Sequence, residues 1–234
     1  MQKSKAISKY GDLDRSEIHR FIPTDATCIL DVGCHTGAFG KSLKGLGFKS
    51  VWGVEANPES AAVASLYLDK VVVGFFHKDQ VPDAFFDVVV FNDVLEHMSD
   101  PAAALRIALD KLKPGGVVVA SIPNIRHIDN LVHILREKDF RYERNGIRDE
   151  THLRFYTQKS IPRLFEQCGY SIKTIEGINE LWWSPSWSRR LAFRLFPGYF
   201  ADTRYMQFGV VAKPTILRQL KTKEPVEPTP CSRE

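Results

Sequence analysis

The sequence predicts an α/β fold, a Rossmann-like, doubly wound, seven-stranded sheet that is mostly parallel with an antiparallel edge strand. Three observations carry this. Five short apolar runs alternate with stretches of helical periodicity, the order in which crossover helices build a parallel sheet. The first run ends in a glycine-bearing turn that opens a helix. Two further strand-like runs, residues 170–175 and 204–212, follow a change of pattern and read as a hairpin-like pair at the sheet edge.

In chain order, residues 1–10 are polar and basic without an apolar core, which reads as a flexible segment and not a secretion signal. Residues 12–21 carry Leu13, Ile18 and Phe21 on a short helix that Pro23 stops. That helix either covers a ligand mouth or only packs, and with it residues 1–22 form an N-terminal appendage. Cys28-Ile29-Leu30-Asp31-Val32 is an apolar run ending around an acid, as in a buried parallel strand. Gly33, Gly37 and Gly40 follow. Glycines let a nucleotide-like ligand approach the backbone, and the helix after them offers free N–H groups. The spacing is not the G-x-G-x-x-G of a dinucleotide site, which argues against a nicotinamide-dependent oxidoreductase. Glu55 closes the next run, Val51-Trp52-Gly53-Val54, where an acid can accept hydrogen bonds from both ribose hydroxyls.

Asn57-Pro58-Glu59 is an N-cap with proline at the first helical position. Val71-Val72-Val73 reads as a third strand, followed by Gly74-Phe75-Phe76. Residues 85–91 form a fully apolar fourth strand ending at Asn92-Asp93, and open parallel sheets place their ligands at such carboxyl ends. Val94-Leu95-Glu96-His97-Met98 then leads through Asp100-Pro101 into a helix over 102–112. Lys113-Pro114-Gly115-Gly116 stops it, and 117–122 is the fifth strand. Residues 125–140 carry Ile128, Leu131, Val132 and Leu135 at helical spacing. An arginine-rich loop, 141–156, precedes a cap at Thr157-Gln158-Lys159-Ser160 and a helix ended by Gly169. An aromatic and basic insertion fills 180–200 between the last two strands. From 214 to 234, prolines and charges without periodicity read as a disordered tail, leaving 23–213 as one domain.

Bulk properties narrow the classes. The 234 residues are 44% hydrophobic, enough for one sizeable core. A formal charge of +4 from 32 basic and 28 acidic residues is too mild to imply nucleic acid. Cys28, Cys34, Cys168 and Cys231 show no metal-ligand spacing and read as reduced thiols of a cytoplasmic protein. No run approaches the ~20 apolar residues of a membrane span.

Five motifs fall in order over most of residues 20–212: Asp31-Val32-Gly33-Cys34, Asp93-Val94-Leu95-Glu96-His97, Leu112-Lys113-Pro114-Gly115-Gly116, Ser121-Ile122-Pro123-Asn124 and Thr151-His152-Leu153-Arg154-Phe155. Together they resemble class I S-adenosyl-L-methionine (SAM) dependent methyltransferases. The branch is the small one similar to ubiquinone-pathway O-methyltransferases and to enzymes accompanying bacterial surface polysaccharides. The resemblance implies SAM as cofactor, bound by Asp31, Gly33, Cys34, Gly37, Glu55 and Ala56, with Asn92 and Asp93 beside its methionine end. Two departures stand out: His35 replaces the middle glycine, and no acid follows the third strand to read adenine. His35 must then take an unusual backbone angle or point outward.

Methyl transfer from a sulfonium is an in-line displacement, so the enzyme aligns an acceptor lone pair and, for a hydroxyl, removes its proton. His97 and His152 are the candidate bases, each also readable as a structural histidine, and Asp149 could orient the His152 ring. Asp93, Glu96 and His97 offer metal-type ligand atoms, a pattern some ubiquinone-type relatives use, yet they could equally shape the cofactor pocket; the expected site contains no metal. Cys34 reads as a packing residue, with no basic partner to activate it. The insertion, with Trp182, Trp183, Trp187 and three arginines, has three readings: an acceptor lid, a peripheral membrane contact through 182–196, or an edge-covering or dimer-forming segment. The expected function is O-methylation of a sugar or polysaccharide-linked acceptor. A quinone-like phenol is the alternative acceptor, and a SAM-binding regulatory module without turnover the alternative class.

Overall fold

A computed structural model describes residues 13–180 and 187–215. The expectations for residues 1–12, for Trp182 and Trp183, and for the tail beyond 215 fall outside the described residues. Seven strands, β1 (Cys28–Val32), β2 (Ser50–Glu55), β3 (Lys70–Val73), β4 (Phe86–Asn92), β5 (Leu112–Pro123), β6 (Tyr170–Glu180) and β7 (Tyr205–Pro214), form one sheet in the order β3-β2-β1-β4-β5-β7-β6. Pairs from β3 through β5 are parallel, and β7 runs antiparallel to both β5 and β6. The sheet is therefore the expected mixed, mostly parallel one. Its antiparallel member lies one place inside the edge, between β5 and β6. Strand order reverses between β1 and β4, which sets a ligand crevice at their carboxyl ends.

Both faces of the sheet are buried, so its central strands are apolar throughout rather than alternating. All five residues of β1 are buried. Side-chain alternation then divides the core in two: Leu30, Val89 and Phe91 pack on one face, and Ile29, Val88 and Val90 on the other. Asp87 ties the lower ends of three segments. Its Oδ2 accepts from the amides of Thr27 (2.9 Å) and Cys28 (2.8 Å), and Lys113 Nζ lies 3.1 Å away. Burial alone would push this carboxyl up, but those hydrogen bonds outweigh it and hold it below the usual range.

The helices start where their caps predict. Asn57 Oδ1 accepts from the amides of Glu59 (2.9 Å) and Ser60 (3.1 Å) ahead of α3 (Pro58–Ala64). Asp100 Oδ1 accepts from Ala103 N at 2.9 Å ahead of α4 (Pro101–Lys111). Thr157 and Ser160 exchange side-chain-to-backbone bonds before α6 (Ser160–Gln167). The helix after β1 is α2 (Ala38–Gly45), and the amphipathic one after β5 is α5 (Ile128–Glu137).

Several boundaries differ from expectation. The helix expected over 12–21 is only α1 (Ser16–His19), because Arg15 at its N-cap takes a left-handed conformation, φ 50°. β5 begins at Leu112, but the Lys113–Gly116 segment, expected as a turn, bulges out of the β4 pairing: Phe86 pairs with Leu112, Val88 next pairs with Val117, and Gly115 is left-handed (φ 88°). β6 continues to Glu180, where it pairs with Tyr205. The insertion contains two helices, α7 (Trp187–Leu195) and α8 (Pro197–Phe200). Cys34 and Cys168 are free buried thiols as expected.

Candidate functional site

The turn between β1 and α2 is built on three left-handed residues: Gly33 (φ 73°), His35 (φ 47°) and Gly37 (φ 79°). At Gly33 a Cβ would also lie 2.7 Å from Val94 Cγ2. Gly37 is the N-cap of α2, and a Cβ there would lie 3.0 Å from Ala64 Cα, so its role is close packing of α2 on α3. His35 adopts the unusual angle foreseen for it. It is held there by Glu55, whose Oε2 accepts the His35 amide at 2.8 Å while Oε1 accepts that of Asn57 at 2.7 Å. Two amides fix the carboxylate, and each oxygen keeps a lone pair for a diol.

Beside this turn, at the carboxyl ends of β1 and β4, lies a cavity of about 740 Å³. It brings together Asp31, Gly33, Cys34, Asn92, Asp93, His97, Asp149 and His152, as the sequence foresaw. Glu55, Ala56 and Gly37 do not line it; Glu55 reaches it only through His35. Asp31 is 2% exposed, and burial, reinforced by the Glu55 charge and partly offset by Arg15, pushes its carboxyl up to about 8. It holds a proton at pH 7 until a cation arrives. Asn92 lines the cavity with neither amide atom hydrogen-bonded. Cys34 is the packing residue expected, its thiol pushed far up by burial and by the Asp31 and Glu55 charges.

Asp93 lines the cavity with its carboxylate already engaged. It is left-handed (φ 51°), and its carboxylate is engaged by Ser121 Oγ at 2.9 Å, by Gln207 Nε2 at 2.8 and 2.7 Å, and by Arg15 Nη1. Arg15 also donates to Ser121 Oγ at 3.0 Å and to Glu17 at 2.8 Å. Asp93 thus anchors Arg15 over the crevice instead of offering a free carboxylate. Neither Arg15 nor Gln207 carried any motif that could have singled it out.

Opposite the glycine turn, a short 3-10 turn (Leu95–His97) meets the 141–156 loop. The Glu96 carbonyl accepts the amides of Leu153 (2.8 Å) and Arg154 (3.0 Å), docking the loop. His97 Nδ1 lies 3.2 Å from the Thr151 carbonyl and 3.0 Å from Thr151 Oγ1, whose hydrogen goes to Asp149 Oδ1 at 2.6 Å. Both oxygens can only accept, so Nδ1 carries the hydrogen and Nε2 the lone pair. His152 Nδ1 donates to the Ile147 carbonyl at 3.1 Å, which fixes the same tautomer. Asp149 therefore orients His97 through Thr151, not His152 as expected. The two rings stand edge to face with centroids 4.7 Å apart. Burial, then the neighbouring His97, lowers the His152 pKa and keeps that ring neutral at pH 7.

Glu96 completes the cluster. It is 1% exposed, neither carboxylate oxygen has a partner among the described residues, and burial together with the Asp93 charge raises it well above the usual range. One ligand atom from each of Glu96, His97 and His152 falls within 4.8 Å of the others. An oxygen and two imidazole nitrogens, each ring oriented by a hydrogen bond from its other nitrogen, suit a divalent ion. The expected site held no metal; the fold assembles this set by bringing His152 of the loop to Glu96 and His97 after β4, a gap that spacing could not bridge.

Among known families, a methyltransferase-domain model matches residues 7–175. The chain belongs to the methyltransferase domain family. Its relatives include a ubiquinone biosynthesis O-methyltransferase of Aeromonas salmonicida, 31% identical over 160 residues that cover 64% of this chain and 66% of that protein. A protein of the same description from Cereibacter sphaeroides strain KD131 is 30% identical over 109 residues, and the match spans 44% of each chain. The methyltransferase also shares its fold with a SAM-dependent methyltransferase from Archaeoglobus fulgidus (TM-score 0.63, 19% identity, 84% of this chain and 91% of that one). A SAM-dependent methyltransferase from Thermotoga maritima superposes similarly (TM-score 0.61, 16% identity, 85% and 87%). SAM is the cofactor of this methyltransferase, and the residues present fit it: a fixed Glu55 carboxylate for a diol, a buried acid at Asp31 for a cation, and an unpartnered Asn92 amide.

The connection between β6 and β7 that holds the insertion leaves and returns at the cavity, since Glu180 of β6 and Met206 of β7 line it. Arg126, just before α5, holds its far end through Asp202 (2.6 Å) and the Tyr199 carbonyl (3.0 Å). Trp187, Leu191, Leu195, Phe196 and Tyr199 are exposed there. Among the described residues, no helix is long and apolar enough to cross a membrane.

Proposed function

We propose that this methyltransferase transfers the SAM methyl group to a hydroxyl oxygen of a sugar or polysaccharide-linked acceptor. The single observation that carries oxygen chemistry is the cluster of Glu96, His97 and His152. Both rings are locked with a lone pair on Nε2, beside a buried carboxylate without partners. An attacking hydroxyl must lose its proton as the methyl moves, and a neutral imidazole is near the right basicity at pH 7. Asp149 and Thr151 hold His97 in the accepting tautomer, and the Ile147 carbonyl does the same for His152. A divalent cation held by Glu96, His97 and His152 would supply Lewis acidity that lowers the pKa of a bound hydroxyl.

Polar side chains on the acceptor side of the cavity, Arg144, Asn179, Glu180 and Gln207, support a hydroxyl-rich acceptor. The matches to ubiquinone biosynthesis O-methyltransferases favour a second reading, a quinone-like phenol. Methyl-labelled SAM offered with a panel of oligosaccharides and catechols tests both. Label recovered as a sugar methyl ether is the expected outcome. Label confined to the catechols moves the assignment to the phenol, and cofactor binding without transfer to any acceptor overturns both. Repeating the assay after exhaustive chelation reads the cation requirement.

A further inference from the structure

The 141–156 loop carries four arginines, and three of them have partners. Arg141 lies 4.0 Å from Asp139, and Arg154 donates to the Ser99 carbonyl at 2.6 Å. Arg148 is pinned by Asn130 Oδ1 and the Arg141 carbonyl, each at 3.0 Å, and by Glu143. Arg144 lines the cavity, is exposed, and has no hydrogen bond or ion pair among the described residues. The other guanidinium lining the cavity, Arg15, is already bound to Asp93 and Glu17.

The turn that presents Arg144 is rigid. Glu143 N donates to the Arg148 carbonyl (2.8 Å), Glu150 N to that of Glu143 (2.9 Å), and Asp149 N to that of Gly146 (3.2 Å). A pinned turn holding up one unpaired guanidinium is pre-organised for a carboxylate or phosphate, because little ordering entropy is left to lose on binding. On the same loop, outside the residues that line the cavity, an aromatic strip leads away from the hydroxyl-activating cluster. The His152 ring stands 6.3 Å from Phe155, Phe155 stands 5.3 Å from Phe140, and Phe140 stands 5.3 Å from Tyr142, two residues before Arg144. Tyr142 is 53% and Phe155 38% exposed, leaving ring faces open to the C–H surface of a pyranose.

We propose that Arg144 forms an acceptor subsite in the cavity that selects a sugar carrying an anionic group, a carboxylate or a phosphate. This rests on the sugar reading above and adds the charge. The anion of the methylated sugar pairs with Arg144 while its hydroxyl reaches His97 and His152, and further sugar residues of the acceptor lie along the Phe155–Phe140–Tyr142 strip.

The test is calorimetric titration of the full chain, loaded with S-adenosylhomocysteine, with glucuronate, glucose 1-phosphate and glucose. Both anions bind about tenfold more tightly than glucose, the difference one charge-assisted contact makes. Arg144→Gln brings all three to the affinity of glucose. The ratio of glucuronate to glucose 1-phosphate tells carboxylate from phosphate. Equal binding of the three sugars, or an Arg144→Gln protein that keeps the preference, overturns the charge selection and leaves the sugar reading intact. Failure of every sugar while catechol binds overturns both. An unchanged S-adenosylhomocysteine affinity in the variant shows that it folds.

Discussion

The two banks of the cavity are built by different means. On the cofactor bank, the groups that matter are held by near neighbours in sequence: the Glu55 carboxylate is fixed by Asn57, two residues away, and by His35, twenty residues away. On the acceptor bank the contacts are long-range. Arg15 meets Asp93 across 78 residues, Gln207 meets Asp93 across 114, and His97 meets Thr151 across 54. The first bank is a property of a turn and two strand ends; the second exists only once the whole sheet is assembled. Such a division lets acceptor preference change through the loop while cofactor binding stays fixed.

The sharpest way to break that contrast is Gly33→Val, which puts a β-branched side chain at φ 73° against Val94. We expect S-adenosylhomocysteine affinity to fall by at least about a hundredfold, from a few kcal/mol of strain and clash. Calorimetry checks it, and a variant that binds normally would show that the turn is not the cradle. Next in size, Glu96→Gln acts on the other bank alone. Methyl transfer should drop by about 10- to 100-fold while cofactor affinity stays near wild type, as for loss of a group that orients or ligates. Equal losses in binding and turnover would erase the distinction between the banks.

A smaller effect is expected at Thr151. Thr151→Val removes the hydroxyl between Asp149 and His97, and kcat should fall by about tenfold, whereas Thr151→Ser restores it. The fourth prediction concerns pH. Asp31 titrates near 8 in the fold against an ordinary value near 4, so from pH 4 to 8 the folded state holds a proton that the unfolded chain has lost. Stability of the cofactor-free protein therefore declines as pH rises through that window. Asp31→Asn should flatten the decline, leaving its Tm higher than wild type at pH 8.5 by roughly 10 °C and close to it at pH 4. Differential scanning fluorimetry at the two pH values reads this, and parallel curves would contradict the burial of the charge.

What could be read in advance follows the same division. Gly33, Glu55 and the caps at Asn57 and Asp100 act through backbone rules that operate over a few residues, so pattern reaches them. Arg15 was invisible because it works through one left-handed residue before a four-residue helix, pairing with groups three strands away. Glu96 and Thr151 sat in motifs, but their roles depend on which ring each faces, and Asp149 was given the wrong histidine for that reason. The start of β5 at Leu112 was not legible because Lys113-Pro114-Gly115-Gly116 has turn composition and bulges between the Leu112 and Val117 pairings to β4. His35 shows the converse: its misfit at a glycine position was plain, and the cause of its tolerance, the Glu55 carboxylate, lay on the next strand.

The insertion of β7 between β5 and β6 bears on how the chain comes off the ribosome. Until residues 205–214 emerge, the Val118–Ile122 edge of β5 has no neighbour on that side, and β6 has nothing to pair with at all. A nascent chain can close the β3-β2-β1-β4-β5 part early, yet it carries a naked apolar ribbon until its last strand arrives. Termination before 205 should therefore yield aggregates rather than a smaller soluble domain, and chaperone demand should fall once residues 205–214 have emerged.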